Sequence, residues 1–320
     1  MSDSLNTTDP ATQQTFVQPT FAQQWRDAWN DFWFRPGAPE TLAVIRILTG
    51  LMVFYSHAVW TLEFSGFVGG RLLPIAYRAN LYRNSSEASF AWSHFDWLPE
   101  SLWMPLHIVG LLVVVCFIVG WQTRVVAWLT AALVISYANR ATGALFGLDQ
   151  ILAFLTLYLA VSHCGRAFSI DRWMEARRDE GHISTKLNPL NTIATRLIQI
   201  HLCVVYLFAG LGKCQGDTWW NGEAIWGALA SYEYQTVDMT FMADQMPLVA
   251  VITLLTLAWE ISYAALIWPK LTRPIMLALA IPMHLGIGIC MGMMTFGLVM
   301  LIANIAFISP AWFQRPSRSM

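Results

Sequence analysis

Apolar residues run through this chain in long blocks, not in the strict alternation of a half-buried strand or the single stripe of a soluble amphipathic helix. Such blocks occupy Thr41–Trp60, Trp103–Trp121, Arg124–Asn139, Leu148–Ser162, Thr192–Leu211, Pro247–Trp268, Leu271–Cys290 and Met294–Ile308. A helix crosses the roughly 30 Å hydrocarbon core with about 20 predominantly apolar residues, and it satisfies its own backbone in lipid. The pattern therefore predicts an all-α polytopic transmembrane helix bundle of about eight spans over residues 41–310. Upstream, Phe21–Phe34 (FAQQWRDAWNDFWF) mixes aromatics and charges at helical spacing. It puts Trp25, Trp29 and Phe32 on one face and stops at Pro36-Gly37. This segment, 21–36, reads as an N-terminal interfacial helix or as a helix packed on the protein's own cytoplasmic face. Residues 1–20 are polar, without the basic start and apolar core of a signal peptide, and are expected to form a disordered tail. Residues 311–320 form a second tail.

Composition sharpens the reading. Hydrophobic residues make up 56% of the chain and charged residues 12%, against about 25% charge in a soluble domain. Many of the 16 Trp and 9 Tyr flank apolar runs, where amphipathic rings anchor at the headgroups. A net charge of −1 gives no electrostatic footprint for nucleic acid. The five cysteines (Cys116, Cys164, Cys203, Cys214, Cys290) are scattered without metal-ligand spacing, so they read as small packing residues and no metal site is expected.

Charge orients the bundle. With eight spans, 13 Lys and Arg fall on the side holding both termini, Arg124, Arg166–Arg196, Lys270 and Arg273, and 5 fall on the other, namely Arg71, Arg78, Arg83, Arg140 and Lys213. The heavier side is cytoplasmic by the positive-inside rule. The expectation is a multi-pass protein of the cell membrane with its N-terminus in the cytoplasm. The two aromatic loops, Thr61–Ser101 and Cys214–Met246, then face outward.

Ionisable residues at membrane depth are costly and are functional candidates by default. Arg46 and Glu260 lie roughly 8 Å and 12 Å from the cytoplasmic ends of their spans at 1.5 Å per residue. That makes them candidates for a buried ion pair, a device that more often fixes packing than does chemistry. Lys213 closes the fifth span, and Tyr206 and Gln199 precede it by seven and fourteen residues. At 100° per residue these three share one helix face to within about 40°. The face carries an amide, a phenol and an amine toward the outer surface, or else a snorkelling lysine above ordinary polar packing. His284 lies mid-span without a second ligand at i+3 or i+4, and His201 lies on another face of the Lys213 helix. Asp149 opens the fourth span, where an acid suits a helix N-terminus.

Three stretches resemble a known family. TLAVIRILTGLMVFY, VYLFAGLGKCQGDTWWNGEAIWGAL and MHLGIGICMGMMTFGLVMLIANIAFISP are similar to the HTTM family, the membrane domain shared with vitamin K-dependent γ-carboxylase. The likeness covers most of Thr41 to Pro310. Its most specific part is Tyr206, then Phe208-Ala209-Gly210, Lys213 and the pair Trp219-Trp220. The resemblance implies that Lys213 is a base that deprotonates a reduced, vitamin K-type quinone, with Glu260 and His284 at matching positions. An amine can do this only where its surroundings let it release its own proton near neutral pH. Two features depart from the carboxylase. Its histidine ahead of the fourth span is replaced here by ALFGLDQI with Asp149, and its large luminal domain has no counterpart in the residues after Pro310.

Three functions follow as expectations. The first is a quinol-dependent, carboxylase-like membrane enzyme with Lys213 as base and Tyr206, Gln199, Asp149 and His284 in support. The second is a non-enzymatic membrane component, a partner or immunity protein of an export, toxin or redox system, with a peptide or thiol-redox protein as partner. A transporter ranks last, because no inverted repeat is evident.

Overall fold

Short-range capping sets the helix ends in the computed structural model, which describes residues 19–69, 92–141, 144–178 and 187–314. Helix α1 (Phe21–Phe34) starts at a capping box in which Thr20 and Gln23 satisfy each other's backbone N–H. Helix α2 spans Glu40–Leu62. Helix α3 (Trp103–Val119) stops at Gly120, whose φ of 72° suits glycine, and the N–H of Trp121 returns to the Cys116 carbonyl at 2.9 Å. Helix α4 (Thr123–Arg140) takes its cap from a distant segment. The Asp171 carboxylate accepts the N–H groups of Gln122 and Thr123, each at 2.7 Å.

Helix α5 is Gly147–Val161 and α6 is Ile170–Arg178. Helix α7 (Pro189–Lys213) opens with Asn188 as N-cap and proline in its first turn. Helices α8 (Met246–Leu266), α9 (Arg273–Cys290) and α10 (Met294–Asn304) complete the longer helices among the described residues. The turn between α9 and α10 is made at Gly292, φ 68°. No strand occurs among the described residues; Gly37 and Asn188 form an isolated bridge.

Among the described residues, five segments are long and apolar enough to cross a membrane: Glu40–Leu62, Glu100–Val119, Pro189–Lys213, Thr240–Leu266 and Arg273–Cys290. Gly147–Val161 and Met294–Phe307 are shorter apolar segments beside them. The protein is thus an all-helical, multi-pass membrane bundle. Leu42, Ile45, Phe117, Leu159, Ile198 and Met300 form part of the buried core, while Leu112, Val109, Leu255 and Ile275 project outward. An apolar exterior is the arrangement lipid favours.

Contacts between helix ends define two faces of the bundle. At one end Gly37 bridges Asn188, Thr41 donates to the Ile308 carbonyl, and Arg273 caps the carbonyls of Ile267 and Trp268. This basic end also carries α1 and α6. At the other, aromatic end, Asn139 donates to the Trp92 carbonyl and the Thr236 N–H to the Cys290 carbonyl. Helix α1 buries no residue. Its apolar face divides: Phe32 packs on Trp268 and under Arg196, whereas Trp25 and Trp29 remain 64% and 51% exposed. The tails at 1–18 and 315–320, and Arg71, Arg78 and Arg83, lie outside the described residues.

Arg46 does not meet Glu260. Its fully buried guanidinium instead donates to the Phe168 carbonyl at 2.6 Å, tying α2 to the start of α6. Gly120 makes room for it, since a Cβ there would stand 2.1 Å from an Arg46 nitrogen. Gly120→Ala should therefore lower the thermal stability of the detergent-solubilised protein by about 1–3 kcal/mol, the usual cost of overpacking. An unchanged melting temperature would show that this turn tolerates the displacement.

Candidate functional site

The site begins with a close approach of α7 and α8. A Cβ at Gly210 would lie 3.2 Å from the Ile261 nitrogen and 3.3 Å from the Glu260 Cβ. Glycine at that position lets the two helices come together, and three residues later Lys213 reaches across. Its Nζ lies 2.9 Å from Glu260 Oε1 and 2.8 Å from Oε2. The amine also stands 5.2 Å from the centre of the Trp219 ring, a cation–π distance. The short helix Asp217–Trp220 brings that indole back over the end of α7, held by the Trp220 Nε1 bond to the Cys214 carbonyl at 2.8 Å. The Lys213 side chain is 26% exposed and that of Glu260 9%. The carboxylate is thus the buried anchor, and the amine is the group that faces outward.

One helix turn deeper lies a second polar chain. Tyr263 donates to Asn304 Oδ1 at 2.6 Å, and Asn304 Nδ2 donates to the Tyr206 hydroxyl at 2.9 Å. That hydroxyl also forms a hydrogen bond with His284 Nε2 at 2.6 Å, its direction set by the histidine tautomer. The other ring nitrogen, Nδ1, is buried with no partner. Tyr206 packs edge-on against Trp259 and beside Tyr263, with ring centres at 4.8 Å and 4.3 Å. The chain links α7, α8, α9 and α10 beneath the Lys213–Glu260 pair.

The structure redistributes the residues marked in the sequence. Lys213, Tyr206 and Gln199 do share the inward side of α7 but serve three separate places. Gln199 donates to the Ala306 carbonyl at 2.7 Å and accepts from Arg196 at 2.9 Å, near the basic end. Asp149 accepts the Phe146 N–H at 3.1 Å and caps its own helix. Glu260 pairs with Lys213 and not with Arg46, because the rotation of α8 against α7, set at Gly210, aims its carboxylate toward the end of α7. Depth along the span had suggested the other partner, and depth says nothing about rotation.

Asn304 and Tyr263 were not marked in the sequence, although Asn304 interrupts an apolar run. Nor was a second cluster between α2, α3 and α4. There Thr61 donates to the His57 carbonyl and accepts from His107 Nε2 at 2.7 Å, while Tyr137 bonds His107 Nδ1 at 2.5 Å. Among the described residues, no group of His, Cys, Asp and Glu is placed to hold a metal ion.

Double-mutant cycles distinguish these pairings. Lys213→Met with Glu260→Gln should show a coupling of about 1–3 kcal/mol in thermal stability, as residues in direct contact do. Arg46→Met with Glu260→Gln should be additive. A coupling in the second cycle equal to the first would contradict the observed geometry.

No curated protein and no solved structure matches the chain. A family model described as the HTTM domain matches residues 34–312. The matched region takes in the whole bundle from the end of α1 to the Pro310–Trp312 turn, with the Lys213 site inside it. The chain belongs to the HTTM family.

Proposed function

We propose that the chain is a membrane enzyme related to vitamin K-dependent γ-carboxylase in which Lys213 is the base toward a reduced quinone. The observation that carries this reading is the outward-facing amine held by a more buried carboxylate at 2.8–2.9 Å. A protonated amine donates to Glu260; to act as a base it must first give up a proton, and Glu260 is the group positioned to take it. Trp219 covers one side of the amine. The Gly212 side is open, with nothing within 4 Å of a Cβ placed there, and Leu211 projects to the exterior. These residues fit a flat apolar ring bearing a hydroxyl that arrives along the bilayer. Such a quinol would bring the acidic hydroxyl to the site. The chain's own part is to orient it on the indole, exclude water and accept the proton at Nζ.

In this reading all eight sequence blocks cross the cell membrane. The basic end with the N-terminus is cytoplasmic and the Lys213 end is outside. A peptide or thiol-redox protein would meet the aromatic end. A second reading keeps Lys213 as an anchor in a non-catalytic membrane component. It is favoured by the ion pair that the amine already makes with Glu260.

Two measurements test the proposal. Lys213→Arg retains a cation for Glu260 but cannot release a proton near neutral pH, and Lys213→Ala removes both functions. A base predicts that both variants fold and both lose quinol-dependent turnover, by roughly 100-fold or more for a general base. An anchor predicts that arginine is tolerated and alanine harms only stability. For the topology, reporter fusions after Arg177 and after Thr236 should report opposite sides of the membrane. The same side for both would remove a crossing between them.

A further inference from the structure

At the basic end, away from Lys213, a cavity of about 400 Å³ opens between the start of α2, the turn before α6 and the C-terminal Pro310–Trp312 turn. Glu40, Arg166, Arg172, Phe168, Phe313 and Gln314 line it. Its charges are divided between segments. Arg166 and Arg172 come from one side of the sequence and share a single carboxylate, Glu175, at 2.5 Å and 3.5 Å. The Arg166 guanidinium holds the Glu175 carboxyl below the ordinary glutamate range, so it stays ionised. Two guanidiniums against one carboxylate leave this side positive, with nitrogen atoms to spare.

Glu40 comes from the first turn of α2 and is only 7% exposed. Its Oε1 accepts a long 3.3 Å bond from Gln314, and its Oε2 is buried with no partner. A buried carboxylate with a single long hydrogen bond is short of donors as it stands. The surroundings of the cavity are those of a headgroup layer. Phe168, Ile170 and Trp173 around α6, and Trp312 beyond the cavity, project outward, as aromatic residues do at membrane interfaces.

A site with a positive side, a carboxylate needing a donor and an aromatic rim matches a ligand carrying a phosphate, an ammonium with N–H donors and an apolar body. We propose that this cavity binds a phospholipid with a primary-amine headgroup, phosphoethanolamine. The phosphate sits on Arg166 and Arg172, the ammonium donates to Glu40, and the glycerol end lies against Phe168 and Phe313. An anionic headgroup without an amine would face the Glu40 carboxylate unpaired. A choline headgroup has no N–H to give it. The inference is independent of the Lys213 reading.

The test uses the full-length protein in detergent, titrated with phosphatidylethanolamine, phosphatidylcholine and phosphatidylglycerol of identical acyl chains. Native mass spectrometry reads retention and thermal unfolding reads stabilisation. Phosphatidylethanolamine should be retained roughly tenfold over phosphatidylcholine, the effect of one hydrogen bond to a charged group. Glu40→Gln should bring the two lipids to parity, and Arg172→Gln should weaken both. Each variant is compared with itself across lipids, so a general loss of stability cannot imitate the result. Preference for phosphatidylglycerol, or a preference for phosphatidylethanolamine that survives Glu40→Gln, would overturn the proposal. Equal stabilisation by soluble phosphoethanolamine would overturn the assignment to a lipid.

Discussion

Inside hydrocarbon a polar side chain has no water to turn to, so hydrogen bonds between helices are the main way this bundle accommodates its polar side chains. That constraint fixes how the helices sit. The Lys213–Glu260 pair joins α7 to α8, and the Tyr263–Asn304–Tyr206–His284 chain joins α7, α8, α9 and α10 just below it. Thr61, His107 and Tyr137 do the same for α2, α3 and α4. Each link demands a particular rotation of every helix it touches. Apolar packing alone, against equally apolar lipid, would specify that rotation weakly.

Close backbone approach is what lets these short polar links form. Gly210 admits α8 to α7, and Gly297 admits α10 to α9, where a Cβ would stand 2.3 Å from the His284 carbonyl oxygen. The same two contacts therefore place Glu260 under Lys213 and His284 beside Tyr206. A bulkier residue at either glycine would separate the partners before it disturbed anything else. Positioning of the candidate site is in this sense a property of two helix crossings more than of the site residues themselves.

The two ends of the bundle are built differently, and the difference bears on function. Where the end of α7 meets the middle of α8, a partly exposed amine is held by a buried carboxylate. At the basic end Asp171 caps the start of α4, Arg46 of α2 bonds the Phe168 carbonyl ahead of α6, and Gln314 of the C-terminal turn bonds Glu40 at the start of α2. A lipid held there would brace the start of α2 without touching Lys213.

Much of the architecture was legible in the sequence because hydropathy and capping act locally. The eight apolar blocks reappear as helices α2–α5 and α7–α10, with the break between the last two at Gly292, and the amphipathic segment is α1. The family resemblance carried by Tyr206, Gly210 and Lys213 was likewise readable in a short stretch of chain. What the sequence could not give was partnership. Depth along a span placed Arg46 and Glu260 at comparable levels, yet Arg46 serves the Phe168 carbonyl and Glu260 serves Lys213. A shared helix face grouped Gln199 with Tyr206 and Lys213, yet Gln199 bonds a carbonyl near the opposite end. Periodicity reports which way a residue points on its own helix, but which helix stands opposite, and at what rotation, is decided only when the helices pack together and their buried polar groups compete for partners.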